Sequence, residues 1–160
     1  MTLPDFDAPF VSVEWLKTHG QHPMVKVLDS SWFLPAANRD PAAEFVVGHI
    51  PGARFFDIEQ VSDTESDLPH MLPSADGFRD AVTALGIGGD DLVVVYDSVG
   101  LFSAPRAWWM FRAFAHDRVA ILEGGLPAWR DSGGAIEAGD AVSGEFSGGA
   151  FHPVHSVNAV

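Results

Sequence analysis

Apolar residues recur along this chain with two distinct periods. Leu92-Val-Val-Val-Tyr96 is an unbroken apolar run, with shorter counterparts in Met24-Val-Lys-Val-Leu-Asp29 and Val119-Ala-Ile-Leu122. Short runs rich in β-branched residues fit strands whose two faces are both covered by helices. Between them the spacing changes: Phe78, Ala81, Val82 and Leu85 share one helical face, opened by Ser74 and closed by Gly86. The same signals predict a helix over Val13–His19, with Ser12 as N-cap and Gly20 as a left-handed terminator. They also predict one or two turns over Ala42–Val47, a helix from Ala104 to Phe114 with Pro105 in its first turn, and a short helix over Leu126–Ser132 closed by Gly133. Gly48-His-Ile-Pro-Gly-Ala53 predicts a tight turn, since Ile50 before a proline is pushed to extended geometry and Gly52 tolerates positive φ. Ala53–Ile58 then fits a strand, while Ser30–Pro35 and Asp63–Pro73 read as loops. Strands alternating with helices predict an α/β fold, a parallel sheet with helices on both faces.

With 160 residues, 47% of them apolar, the chain can bury one core. One domain is expected over 1–137, its ordered core about 11–133, followed by a Gly/Ser-rich tail or inter-domain linker over 138–160 where periodicity is lost. Twenty-two acidic residues against nine Lys and Arg leave a net charge of −13, which repels phosphate backbones and anionic lipid. Neither nucleic acid nor a membrane is therefore expected as a partner, no window approaches the roughly 18 apolar residues of a membrane span, and a cytoplasmic location is expected. The chain contains no cysteine. That excludes disulfides, thiolate-bound zinc and any cysteine nucleophile.

Candidate chemistry is sparse. No phosphate-binding glycine loop, dinucleotide fingerprint or Gly-x-Ser-x-Gly elbow occurs. His19/His22 and His152/His155 have i, i+3 spacing but no convincing third ligand, so neither metal nor cofactor is expected. Asp97 ends the central strand just before a helix, where sites of parallel α/β folds form. It is expected to cap the loop and helix, an interaction worth about 0.5–2 kcal/mol. The alternative is an aspartyl nucleophile for phosphoryl transfer, which is disfavoured because the second carboxylate of an Asp-x-Asp pair is replaced by Val99.

Five stretches together resemble the N-terminal domain of tandem rhodaneses and 3-mercaptopyruvate sulfurtransferases: Val27-Leu-Asp-Ser-Ser-Trp32, Gly48-His-Ile-Pro-Gly-Ala53, Val94-Val-Tyr-Asp97, Ala104-Pro-Arg-Ala-Trp-Trp-Met-Phe-Arg112 and Leu122-Glu-Gly-Gly-Leu-Pro-Ala-Trp129. The resemblance runs from about Val11 to Gly133 and implies a rhodanese-like fold, a five-stranded parallel sheet flanked by helices on both faces. It also implies a second, cysteine-bearing domain, in the same polypeptide or in trans, where backbone N–H groups stabilise a thiolate and persulfide. Sulfur passes there from thiosulfate or 3-mercaptopyruvate to cyanide or a thiol. At the position of the family cysteine this chain has Asp97, so no residue of its own is expected to be catalytic. Its role would be structural, with Trp32, Phe102 and Ser103 lining the cleft or the inter-domain face. Trp32 is equally readable as a core aromatic, and Arg106 as a surface charge or an inter-domain contact. Trp108 and Trp109 read better as core. Without its partner the chain is expected either to self-associate through that face or to bind the separately expressed catalytic half, and a stand-alone, non-catalytic binding module is the alternative. The bulk of Ser98, Val99, Gly100, Leu101 and Phe102 is expected to leave no tight anion cradle after Asp97. The resemblance places the donor-selecting loop in the catalytic copy.

Overall fold

Each of the long apolar runs is a strand in the computed structural model, which describes residues 9–62 and 72–139. In chain order the regular elements are β1 (Phe10–Val11), α1 (Val13–His19), β2 (Val25–Asp29), α2 (Pro41–Val47), β3 (Arg54–Phe55), α3 (Ala75–Ala84), β4 (Leu92–Tyr96), α4 (Ala104–Ala113), β5 (Val119–Leu122) and α5 (Gly125–Asp131). The five strands form one parallel sheet in the order β1-β5-β4-β2-β3, so the Val-rich β4 lies at its centre.

The alternation of side chains along a strand explains why these runs are apolar throughout. Val93 and Val95 of β4, with Val119 and Ile121 of β5, join Phe78, Val82, Met110 and Phe111 of α3 and α4 in one core layer. Leu92, Val94 and Tyr96, with Ala120 and Leu122, point the other way into a second layer completed by Leu16, Phe45, Leu126 and Trp129 of α1, α2 and α5. All five residues of β2 and of β4 are buried. Burial of Lys26 within β2 is compensated by Asp91, 3.4 Å away, and by the Pro23 carbonyl at 2.6 Å.

Two caps fall where the polar signals put them, Ser12 accepting from Trp15 N–H and Ser74 from Gly77 N–H, and α2 has a further cap in Asp40, which accepts from Ala43 N–H. Gly52, Gly86 and Gly133 take positive φ. Gly20 does not. Its φ is −63°, and what requires glycine there is space, since a Cβ would stand 2.6 Å from the Leu16 carbonyl oxygen. The strand after the Gly48–Ala53 turn is two residues long instead of six, because β3 is a sheet edge paired only with β2. Most of the expected 63–73 loop, and His152 and His155, lie outside the described residues. Among those described, no helix is long and apolar enough to cross a membrane and no group of three or more acidic or histidine side chains could hold a metal.

Candidate functional site

The carboxyl ends of β2 and β4 open onto two loops, and Asp97 stands at the root of the second with no exposed surface. Its side chain is the hub of that loop. Oδ1 accepts from Val99 N–H at 3.0 Å and Gly100 N–H at 2.8 Å, and Oδ2 accepts from the N–H groups of Phe102, Ser103 and Ala104, each at 2.8 Å. Ser103 is the N-cap residue of α4 but makes no capping bond with its own hydroxyl. The carboxylate six positions earlier supplies that acceptor and faces the positive end of the helix.

Five inward N–H groups around one anion are a cradle, which corrects the expectation drawn from bulk. Val99, Leu101 and Phe102 turn their side chains outward, where they are 52%, 59% and 45% exposed, so their size does not obstruct the ring of donors. The loop is braced from behind. Gly125, at φ +57°, packs so closely that a Cβ there would lie 2.5 Å from the Asp97 carbonyl oxygen and 3.0 Å from Gly100 Cα, and Leu126 N–H donates to the same carbonyl at 3.0 Å. We expect Gly125→Ala to cost about 2–4 kcal/mol, combining left-handed strain with a backbone clash. Gly133→Ala has the strain alone, in open space at φ +77°, and should cost about 1 kcal/mol. Urea unfolding of the two variants gives the comparison, and equal losses would mean that the brace does not bear on the loop.

Trp32, Phe102 and Ser103 come together beside the cradle. The rings of Trp32 and Phe102 stack at 6.3 Å with 12° between their planes, and Ser103 Oγ accepts from Trp32 N–H at 3.0 Å. Trp32 is only partly buried and donates its indole N–H to Glu59 at 2.9 Å, so it is an edge residue, partly packed against the core and partly open. Arg106, one turn into α4, lays its guanidinium over the Trp109 ring at 4.8 Å. Its Nε and Nη2 are buried without a hydrogen bond, as is Trp108 Nε1, and burial pulls the guanidinium below its usual range. Trp108 and Trp109 are partly buried against the core.

Three features had no sequence signal strong enough to single them out. Ser31 Oγ accepts from Ser98 N–H at 3.0 Å, tying the β2 loop to the cradle loop. Asp29 is buried at the end of β2 and takes Ser31 N–H at 2.9 Å; burial is the main cause that pushes its carboxyl above the ordinary range, with the Asp97 charge adding to it. His49 of the tight turn is buried, with Nδ1 2.9 Å from the Phe45 carbonyl oxygen and Nε2 3.0 Å from Glu137 Oε1, while its backbone pairs with that of Glu137. A carbonyl can only accept, so Nδ1 carries a proton.

The sequence pattern of the Rhodanese-like domain family matches residues 12–132. Thiosulfate/3-mercaptopyruvate sulfurtransferase 1, mitochondrial, of Arabidopsis thaliana is 50% identical over 137 residues, covering 84% of this chain and 36% of the relative. The 3-mercaptopyruvate sulfurtransferase of Escherichia coli K12 is 45% identical over 147 residues, covering 90% of this chain and 52% of the relative. A crystal structure of the E. coli 3-mercaptopyruvate sulfotransferase superposes with a TM-score of 0.80 at 45% identity, over 90% of this chain and 56% of that one. The chain thus spans about half, or less, of the length of these relatives.

Proposed function

Since this chain belongs to the rhodanese-like domain family, we propose that it is the N-terminal, structural half of a sulfurtransferase that moves sulfane sulfur from thiosulfate or 3-mercaptopyruvate to cyanide or a thiol. The observation that carries the reading is the Asp97 carboxylate filling a cradle of five N–H groups in a chain without cysteine. A sulfur carrier must be first a nucleophile and then a leaving group, and a carboxylate oxygen does neither for sulfane sulfur. The phosphoryl-transfer alternative is disfavoured by the same geometry. Both oxygens of Asp97 are engaged and the residue is fully buried, so neither can approach a phosphorus.

The proposed partner is a second, cysteine-bearing rhodanese domain, in the same polypeptide or in trans. Supporting this are the greater length of the relatives and the apolar rim formed by Trp32, Val99, Leu101 and Phe102 beside the cradle. Domain contacts of this kind cover roughly 600–1,500 Å², and an uncovered rim favours association. The unsatisfied nitrogens of Arg106 and Trp108 ask for acceptors that a partner could offer. A cytoplasmic location is part of the proposal, set against the mitochondrial name of the Arabidopsis relative; fractionation of tagged protein decides between them.

The chain alone is expected to produce no thiocyanate from thiosulfate and cyanide, and no sulfide from 3-mercaptopyruvate and a thiol, above the uncatalysed rate. In sedimentation it should self-associate or bind a separately produced catalytic domain, and the double variant Trp32→Ser, Phe102→Ser should abolish both. A chain that stays monomeric, ignores the second domain and is unchanged by the substitutions is an autonomous binding module instead.

A further inference from the structure

Behind the cradle, where β2 and β4 end side by side, lies a separate cavity of about 170 Å³ between α2 and α5. The strand order reverses here: after β2 the chain adds β3 outward on one side, and after β4 it adds β5 on the other. Crevices at such a reversal, outside the carboxyl ends of the strands, are where ligands enter open parallel sheets. The walls carry charged groups without a counter-ion and one unsatisfied hydroxyl. Asp29, 3% exposed, accepts hydrogen bonds from Ser31 and from the Tyr96 hydroxyl but makes no ion pair among the described residues. The hydroxyl of Ser98 is buried with no hydrogen bond. Arg130, exposed on α5, makes no ion pair with any described residue either. Glu44, the other acid on the wall, is already held by Arg39 through bonds of 2.6 and 2.9 Å.

A cavity with an anionic floor and a cationic rim suits a molecule bearing both charges. We propose that it binds a small zwitterion of the α-amino acid type, with its ammonium group donating to Asp29 and Ser98 and its carboxylate meeting the Arg130 guanidinium. Taking a carboxylate out of water without a cation is costly, and an ammonium at hydrogen-bond distance removes much of that cost. The charge of Asp97 nearby disfavours a second anion at the floor and favours a cation in the same way. The cavity is smaller than the roughly 300–1,000 Å³ of drug-sized sites. Val47 and Leu126 wall it, so only a short, uncharged side chain fits. The chemistry is independent of sulfur transfer, because it uses neither the cradle interior nor a second domain.

The test is a titration of the ¹⁵N-labelled 160-residue chain with glycine and L-alanine, against acetate, methylammonium and L-tryptophan at matched ionic strength. Saturable shifts at the amides of Ser31, Ser98 and Arg130 are expected for glycine and alanine, with binding of the two single-charge probes at least about tenfold weaker and no shift with tryptophan. Arg130→Gln lies on the surface and should leave the fold intact while weakening glycine by about tenfold. Asp29→Asn should weaken it at least as much, with Arg130→Gln deciding the matter if the buried substitution unfolds the chain. No shifts with glycine, acetate binding as tightly as glycine, or an unaltered affinity in Arg130→Gln would each overturn the proposal. The absence of sulfurtransferase activity bears on none of these readings.

Discussion

Replacing Asp97 by cysteine is expected to give a thiol with a pKa of about 6.5 or lower, against an ordinary value of about 8.5. The size follows from the surroundings. Five N–H groups converge on the position, three of them from Phe102, Ser103 and Ala104 leading into the start of α4, and they stay held by the Gly125 brace and by the bond from Leu126 to the Asp97 backbone carbonyl. Preorganised donors and a helix N-terminus both favour the anionic form, and a fall of two units corresponds to about 2.7 kcal/mol of preferential thiolate stabilisation. Because the chain has no other cysteine, thiolate absorbance near 240 nm reports this one group without background. Ser98→Cys, one residue along and outside the ring of donors, serves as the contrast: its site is buried beside two carboxylates, so it should titrate at or above the ordinary value. The low-pKa thiolate should also attack the sulfane sulfur of thiosulfate, breaking its S–S bond, releasing sulfite and leaving one persulfide sulfur visible by mass. A pKa at or above 8.5 would show that the donors turn away once the carboxylate is gone.

This expectation reverses what residue size suggests, and the reversal shows what was legible in the sequence. Side-chain pattern revealed the central strand, the helices and most of their caps, because burial on both faces, 3.6-residue spacing and Ser or Asp at helix starts all act through side chains. The motif stretches placed Asp97 where the geometry finds it. The cradle itself is a property of backbone direction: Val99, Leu101 and Phe102 look obstructive as letters, yet they point outward while the N–H groups of Val99 and Phe102 point in. β1 was invisible for another reason, since two residues cannot display a period, and only their pairing with Ile121 and Leu122 makes them a strand. Gly20 has the place of a conformational terminator, yet its φ is −63° and its requirement is steric. The pairing of His49 with Glu137 joins residues 88 apart, which no local pattern encodes.

Asp97→Ala is expected to lose about 3–5 kcal/mol, well beyond the 0.5–2 kcal/mol of an ordinary cap. A single cap satisfies one or two donors, whereas here five lose their acceptor together, and Ser103 and Ala104 are buried. Each buried N–H left unsatisfied costs about 1–3 kcal/mol, and the sum is reduced where the loop relaxes or water enters. The loss should be recoverable from solution. With the carboxylate removed but the donors in place, formate or acetate can enter the vacated ring, and a ligand at 100 times its dissociation constant stabilises by about 2.7 kcal/mol. The same anions should do nothing specific for the unsubstituted chain, whose ring is already full. Asp97→Asn keeps one acceptor oxygen but turns an NH₂ toward donors, so it should be destabilised and should not be rescued. Melting curves of the three chains in rising formate, against chloride at equal ionic strength, separate the possibilities. Rescue confined to Asp97→Ala makes the cradle an anion site that Asp97 occupies from within the chain. If formate raises all three melting temperatures equally, or none, the N–H groups are held in place only by the carboxylate they surround, and the low thiol pKa expected of Asp97→Cys should fail with them.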